Sequence, residues 1–189
     1  MMLWYIARGA GLAALLLLTI TTCVGALTTR RGRADNRVVM QYVHRVTASL
    51  GLGVLALHVG TILADSYAHV GWSGAIVPFT SGYRPMWVAL GTFAVYTFVL
   101  AAAVGFARGR IATSSRGAVV WRWLHGLAYL GWMLAMLHGL ESGTDSSLGW
   151  VRWLYIACAA AVAGSVTARC AVRPRRTDGI LRTPAGAHR

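Results

Sequence analysis

Four histidines lie inside apolar stretches of the sequence as two pairs, His44 with His58 and His125 with His138. The first pair is 14 residues apart and the second pair 13. Because an α-helix rises about 1.5 Å per residue, each pair spans roughly 20 Å along its helix. A bilayer core is about 30 Å thick, so one histidine of each pair is expected near each face. Two such helices side by side stack two histidine–histidine gaps across the membrane, and each gap suits one haem iron with two axial imidazoles.

Other interpretations of these histidines agree less well with their number and spacing than haem ligation does. A single intramembrane histidine is often a polar contact between helices, but four at matched depths favour a functional site. Zinc fits poorly, because the pairs are too far apart to share one ion and no carboxylate or thiolate lies beside them. On an ideal helix, 13 residues leave His138 roughly 140° from His125, so a twist or kink is expected at Gly126 or Gly131. Met136 lies within about 20° of the His125 face and is the alternative axial ligand.

Composition indicates a helical membrane protein. Of the 189 residues, 57% are hydrophobic and only 12% are charged, with a mean hydropathy of +0.57. A soluble domain of this size is less apolar. All 18 basic residues are arginines, and they lie in short loops and the tail, so the net charge of +13 does not indicate nucleic-acid binding. The three cysteines are odd in number and have no CxxC spacing, so they support neither a disulfide framework nor a thiol-ligated metal site.

The hydrophobic pattern predicts an all-α, polytopic transmembrane bundle of about five helices. The two stacked haem sites are expected between the second and fourth of these helices. Residues 1–172 are expected to form one membrane haem domain, and the polar, proline-interrupted segment 173–189 a disordered cytoplasmic tail. Segment 66–84 is long for a connection and is expected to fold back over the outer mouth of the bundle. The predicted helices are 3–27, 38–64, 85–107, 117–140 and 148–171.

Arginine distribution predicts the orientation of the chain. Loops 28–37 and 107–117 and the C-terminal segment from residue 169 together hold 13 arginines. The segments on the other side, 65–84 and 141–147, hold three acidic residues and one arginine. The positive-inside rule therefore predicts a multi-pass protein of the cell membrane with its N-terminus outside and its C-terminus in the cytoplasm. His44 and His125 are then near the inner face, and His58 and His138 near the outer face.

Haem carboxylates need cationic partners at the membrane edges, and arginine pairs with carboxylates in a bidentate geometry. For each arginine, anchoring at the interface explains its position equally well. The candidate partners of the haem propionates are Arg37, Arg45 and Arg122 at the inner level, and Arg84, Arg152 and additionally Arg8 at the outer level.

In the outer loop, Asp65, Tyr67 and His69 are candidates for positioning a metal or partner, although an ordinary loop role is favoured.

The arrangement H44-x13-H58 with H125-x12-H138 resembles the ferric reductase-like transmembrane domain superfamily, over roughly residues 10–170. That superfamily includes NADPH oxidases, ferric reductases and the bacterial haem-binding membrane subunit of periplasmic methionine sulfoxide reductase. The resemblance implies two parallel helices that each supply two haem-ligating histidines, with the same unequal steps of 14 and 13 residues. Large members have six helices and a cytoplasmic FAD/NAD(P)H domain. Here no GxGxxG follows a strand, so we expect a separate partner to deliver the electrons.

These observations lead to an expected function. Bis-histidine ligation leaves no open iron position, which favours electron transfer over oxygen binding. We expect a short ferric reductase-like oxidoreductase subunit with two haems b. Its electrons would come from a flavoprotein or quinol through the inner haem and pass to extracytoplasmic ferric iron, a flavoprotein or oxygen; the reverse direction stays open. The alternative is a non-redox membrane protein that handles haem or serves as an assembly or scaffold subunit. A b561-type cytochrome fits less well, because its four ligands are distributed over four helices.

Overall fold

Helices account for nearly all of the chain that this computed structural model describes, residues 2–28, 34–66 and 69–171, and no strand occurs within those ranges. The all-α prediction is confirmed. The predicted tail, 173–189, and Tyr67 lie outside the described residues. The helices are α1 Met2–Thr28, α2 Ala34–Ala64, α3 Gly71–Ile76, α4 Pro85–Phe106, α5 Arg108–Ile111, α6 Ser115–Ser142 and α7 Gly149–Ala171.

The five long helices agree with the five predicted apolar segments to within a few residues at each end. Local chemistry explains two of the boundaries. Pro85 occupies the first turn of α4, where its missing N–H has no intrahelical partner to lose. Ser114 caps α6, because its hydroxyl oxygen accepts a hydrogen bond from the Gly117 backbone N–H at 3.1 Å. The single turn of α5 then connects α4 to α6.

Four of the described helices are long and apolar enough to cross a membrane: α1, residues 36–64 of α2, α4 and α7. The chain is therefore a multi-pass membrane protein. The remaining long helix, α6, has 28 residues and is long enough to span a bilayer core. It falls outside this group because its arginines, histidines and tryptophans lower its hydropathy.

The long helices form two antiparallel hairpins. α1 packs along α2, α4 packs along α6, and α7 closes the bundle against α1. α1 also contacts α6, whereas α2 and α6 make almost no direct contact. The two histidine-bearing helices therefore face each other across a gap whose walls are completed by the helices that flank them.

An apolar core packs four of the long helices together, and its members on α1, α4 and α6 fall between the two histidine levels in the sequence. Its members come from α1, α4, α6 and α7, and all are buried: Leu15, Leu18, Ala94, Phe98, Trp132, Met136, Val151, Tyr155, Cys158 and Val162. One polar contact crosses it, because the Trp132 indole N–H donates to the Thr19 hydroxyl at 2.9 Å. Within a bilayer such a buried donor needs a protein partner, so this bond fixes α6 against α1.

The connection between α2 and α4 folds over one end of the bundle, as predicted, within its described residues 69–84. The short helix α3 lies against α4, where the Tyr96 hydroxyl donates to the Ile76 carbonyl. A Cβ on Gly74 would lie 2.8 Å from the Ser81 Cα, so glycine permits the close approach of the two halves of this loop. The loop thus forms a lid on the bundle.

The two ends of the bundle differ in charge. The end at which α1, α4 and α7 finish and α2 and α6 begin carries seven of the ten arginines in the described ranges, and we call it the arginine-rich end. The opposite end, which we call the lid end, holds residues 65–84 and 142–149 and the N-terminus of α1. There an ion pair between Arg8 and Asp145 joins α1 to the α6–α7 connection.

Packing of α1 against α2 depends on a glycine. A Cβ on Gly51 would lie 3.1 Å from a Leu18 methyl, whereas a Cβ on Gly53 would meet nothing within 4 Å. We predict that Gly51→Val destabilises the bundle by roughly 1–3 kcal/mol through overpacking. Gly53→Val, with the same intrinsic helix cost, is the matched control. Thermal unfolding of both variants in detergent measures the difference, and equal unfolding temperatures would contradict the packing described.

Candidate functional site

The fold brings the four helical histidines together as two facing pairs. The ring centres of His44 and His125 are 6.1 Å apart, and those of His58 and His138 are 6.3 Å apart. Within each pair the ring planes are steeply inclined, at 69° and 74°. The first pair lies toward the arginine-rich end and the second toward the lid end, so α2 and α6 run parallel and the pairs occupy two depths.

All four imidazoles make the same hydrogen bond. Each Nδ1 lies between 2.7 and 3.0 Å from a backbone carbonyl oxygen of the flanking helix. The pairs are His44 with Thr21, His58 with Ala7, His125 with Ala101 and His138 with Trp87. A carbonyl can only accept, so Nδ1 must carry the proton and donate. The neutral ring then presents Nε2 as an unprotonated lone pair, which is the form that ligates a metal.

A glycine opens each of these carbonyls to its histidine. In every case the glycine follows the accepting residue by four positions, one helical turn later on the same face. A Cβ placed on it would lie only 2.8 to 3.1 Å from the imidazole ring. The contacts are Gly25 with His44, Gly11 with His58, Gly105 with His125 and Gly91 with His138. A larger side chain would shield the carbonyl and displace the ring. The same arrangement of glycine, carbonyl and imidazole therefore occurs four times.

The geometry of each pair fits a metal ion shared by two imidazoles. A metal–nitrogen bond is about 2 Å long, and the centre of an imidazole ring lies a further ~1 Å behind its nitrogen. A metal ion shared by two imidazoles therefore separates their ring centres by roughly 6 Å. The measured separations, 6.1 and 6.3 Å, agree with this value. Each pair supplies only two ligands, and no cluster of three or more His, Cys, Asp or Glu able to hold an ion exists among residues 2–28, 34–66 and 69–171. A macrocycle that brings four nitrogens of its own is the group that needs two axial ligands and no more.

A cavity of about 210 Å³ surrounds the pair at the lid end. His58 and His138 both lie in its wall, and aliphatic and aromatic residues supply most of the rest. The lid contributes Val70, Ala75 and Tyr83. An apolar wall with two opposed imidazoles is suited to a flat, largely hydrophobic ring system.

The polar part of this cavity is formed by Arg8 and the α6–α7 connection, including Asp145. Arg8 is partly buried, and its Nε atom is buried without a hydrogen-bond partner among the described residues. An unsatisfied guanidinium donor in a cavity wall is suited to a carboxylate. Of the arginines considered from the sequence, Arg8 is the one that lines this cavity.

The other predicted propionate partners occupy more exposed positions. Arg84 donates to the Glu141 carbonyl and lies over the Tyr83 ring, and it does not line the cavity. The five candidate arginines other than Arg8 are all exposed: Arg37, Arg45 and Arg122 toward the arginine-rich end, and Arg84 and Arg152 toward the lid end. Their pairing with haem carboxylates stays a prediction.

The unequal spacing on α6 does not interrupt the helix. α6 is α-helical through Gly126 and Gly131, and both His125 and His138 turn their Nδ1 atoms toward α4. Met136, the alternative ligand, is buried in the apolar core and is not part of the cavity wall. The structure therefore brings His138, rather than Met136, against His58.

Sequence reasoning missed the four glycines that contact the histidines. Glycines on the histidine-bearing helices have other neighbours, because Gly51 faces leucines of α1 and Gly131 faces Thr97 of α4. A signal was present, because Gly11 and Gly25, like Gly91 and Gly105, are separated by 14 residues, the interval between His44 and His58. Arg8 is one of the six arginines that the sequence predicts as partners of the haem propionates, but nothing in the sequence distinguishes it from the other five.

Comparison with known proteins leaves the geometry as the basis for any assignment. No protein-family model matches the chain, and no curated protein or solved structure shows significant similarity to it.

The glycine contacts generate a test of the site. We predict that Gly11→Leu displaces the His58 ring from the Ala7 carbonyl and removes one of the two haems per chain that the sequence predicts. Gly9→Leu is the matched control, because a Cβ on Gly9 meets nothing within 4 Å. Haem content measured as the pyridine haemochrome should be halved in the first variant and unchanged in the second. Equal haem content in both would show that the glycine contact does not support the site.

Proposed function

We propose that the chain is a membrane cytochrome of the b type, with two haems, that transfers electrons across the cell membrane as a short ferric reductase-like subunit. The observation that carries this proposal is the repeated arrangement of two facing imidazoles with both Nδ1 atoms bonded to helix carbonyls. When bound, the haems supply one-electron reduction and oxidation at iron. His44 and His125 would hold one of them, and His58 and His138 the other.

The residues around the histidines support that role by fixing each ligand. The carbonyl bond selects the Nδ1–H tautomer and sets the orientation of the ring, so that Nε2 needs no rearrangement to ligate. A bound iron with two imidazoles has no position free for a substrate. The site is therefore suited to carrying electrons rather than to binding oxygen or a small molecule at the metal.

The medium between the two pairs also supports electron transfer. Buried apolar side chains of α1, α4, α6 and α7 occupy this level, and Trp132 is fixed there by its bond to Thr19. Such apolar surroundings would limit the reorganisation that accompanies a change of charge at either end. Along α2, the 14-residue step places the two levels roughly 20 Å apart, which covers most of a bilayer core.

Charge supports a direction and a kind of partner. With α6 included as a fifth span, the positive-inside rule puts the arginine-rich end in the cytoplasm and the N-terminus outside. Exposed arginines at that end, including Arg108, Arg110 and Arg116, would attract an acidic surface of a flavoprotein donor. Reduction by a quinol is the alternative. The acceptor, which could be ferric iron, a flavoprotein or oxygen, would then react near the lid end.

The pairing of ligands can be tested by single substitutions. We predict that His44→Ala and His125→Ala lose the same haem, and that His58→Ala and His138→Ala lose the other, because each pair shares one iron. Redox titration monitored by visible spectroscopy should show the same remaining component within a pair and different components between pairs. Identical remaining spectra and midpoints in His44→Ala and His58→Ala would contradict the assignment.

The direction of electron flow can be tested in liposomes that contain the purified chain. We predict that NADPH alone does not reduce it, and that a flavoprotein donor added at the arginine-rich end reduces it at a rate that falls with rising salt, because ionic strength screens the attraction between partners. Stopped-flow spectroscopy measures both. Rapid reduction by NADPH without a partner, or a salt-independent rate with the donor, would contradict the proposed partnership.

A further inference from the structure

His125 differs from the other three histidines because an aromatic ring is stacked on it. The ring of Trp121 lies parallel to the His125 imidazole, with 5.1 Å between ring centres and 13° between planes. The guanidinium carbon of Arg108 lies 5.0 Å from the centre of the Trp121 ring. A cation, an indole and an imidazole thus form one stack at the arginine-rich end.

Helical spacing and hydrogen bonds hold the members of this stack in place. Trp121 precedes His125 by four residues, so the two side chains lie one turn apart on the same face of α6. The indole N–H donates to the Val104 carbonyl in the last turn of α4, at 3.1 Å. Arg108 opens α5 directly after that turn. The stack therefore joins the corner between α4 and α5 to α6, and the His125 ring is held by the Ala101 carbonyl as well as by the indole face.

The arrangement is asymmetric between the two histidine pairs. Across residues 2–28, 34–66 and 69–171, the rings of His44, His58 and His138 have their facing histidine as their ring contact, and none has an indole stacked on it. Arg110, on the same turn of helix as Arg108, is also exposed but makes no cation–π contact with Trp121. The His58–His138 pair can therefore serve as an unstacked reference for the His44–His125 pair, and Arg110 as a matched reference for Arg108.

We propose that Arg108 and Trp121 are positioning residues for His125 that raise the reduction potential of the haem held by His44 and His125. This inference rests on the proposed function. A cation over the indole face polarises the indole and, through it, the stacked imidazole, which weakens electron donation by that ligand. Reduction removes one positive charge from the iron, so a nearby fixed cation favours the reduced form.

The electrostatic part of the effect has a definite size. The Arg108 charge lies within about 10 Å of the His125 ring, judged from the two stacking distances. Because Arg108 is exposed, an effective dielectric near that of water applies, and a unit charge at such a distance changes the reduction equilibrium about twofold. For one electron, a twofold change is about 18 mV, since a tenfold change is 59 mV.

The test is a redox titration of the purified two-haem protein with resolved components. The component held by His44 and His125 is identified as the one absent from His125→Ala. We expect Arg108→Gln to lower the reduction constant of that component about twofold, and its midpoint accordingly, and to leave the other component unchanged. Arg108→Lys and Trp121→Phe, which keep the charge and the ring, should restore most of the wild-type value.

A double-variant comparison separates the stack from the general field of the arginine-rich end. We expect Arg108→Gln to cause a much smaller shift in a Trp121→Leu background, and Arg110→Gln to shift the wild-type midpoint much less than Arg108→Gln does. Equal shifts for Arg108→Gln and Arg110→Gln, or none for Arg108→Gln, would overturn the inference while two bound haems still support the proposed function. Protein that binds no haem would overturn both.

Discussion

The structure depends on the hydrogen bond between each of the four helical imidazoles and a helix carbonyl. A buried polar N–H without a partner costs several kcal/mol, so each histidine needs an acceptor inside the protein. The backbone carbonyls of α1 and α4 supply those acceptors, because a glycine one turn later leaves each carbonyl open. The bond satisfies the donor and also determines which ring nitrogen is left for a ligand.

The helical arrangement follows from these four bonds. They hold α2 to α1 at two levels and α6 to α4 at two levels, which produces the two antiparallel hairpins. Because each histidine is fixed from the flanking helix, α2 and α6 do not have to touch, and the gap between them is kept open. The apolar core, with Trp132 bonded to Thr19, separates the two levels, and the lid covers one of them. The distribution of arginines then makes the two ends chemically different.

Much of this architecture can be read from the sequence. Apolar runs between polar connections predict the five long helices, Pro85 marks where α4 begins, and equal depths on parallel helices predict which histidines face each other. These features depend only on position along a helix. The hydropathy of α6 was the least informative signal, because the residues of the site themselves make that helix polar.

The parts that could not be predicted depend on how each helix is rotated about its axis. Gly11 and Gly25 face histidines, but Gly53, on a neighbouring helix, faces open space, and composition does not separate these cases. Trp121 lies one turn from His125, yet only the corner between α4 and α5 brings Arg108 over it. The position of Arg8 in the cavity wall likewise depends on how α1 meets the α6–α7 connection.

We propose that each facing pair of histidines holds one haem iron through both of its imidazoles. Low-temperature electron paramagnetic resonance of the oxidised, purified chain, with spins counted against protein, is the decisive test. We predict two low-spin ferric signals per chain, each typical of bis-imidazole ligation, and no high-spin signal. A chain without low-spin iron, or with a single high-spin ferric signal, would contradict it.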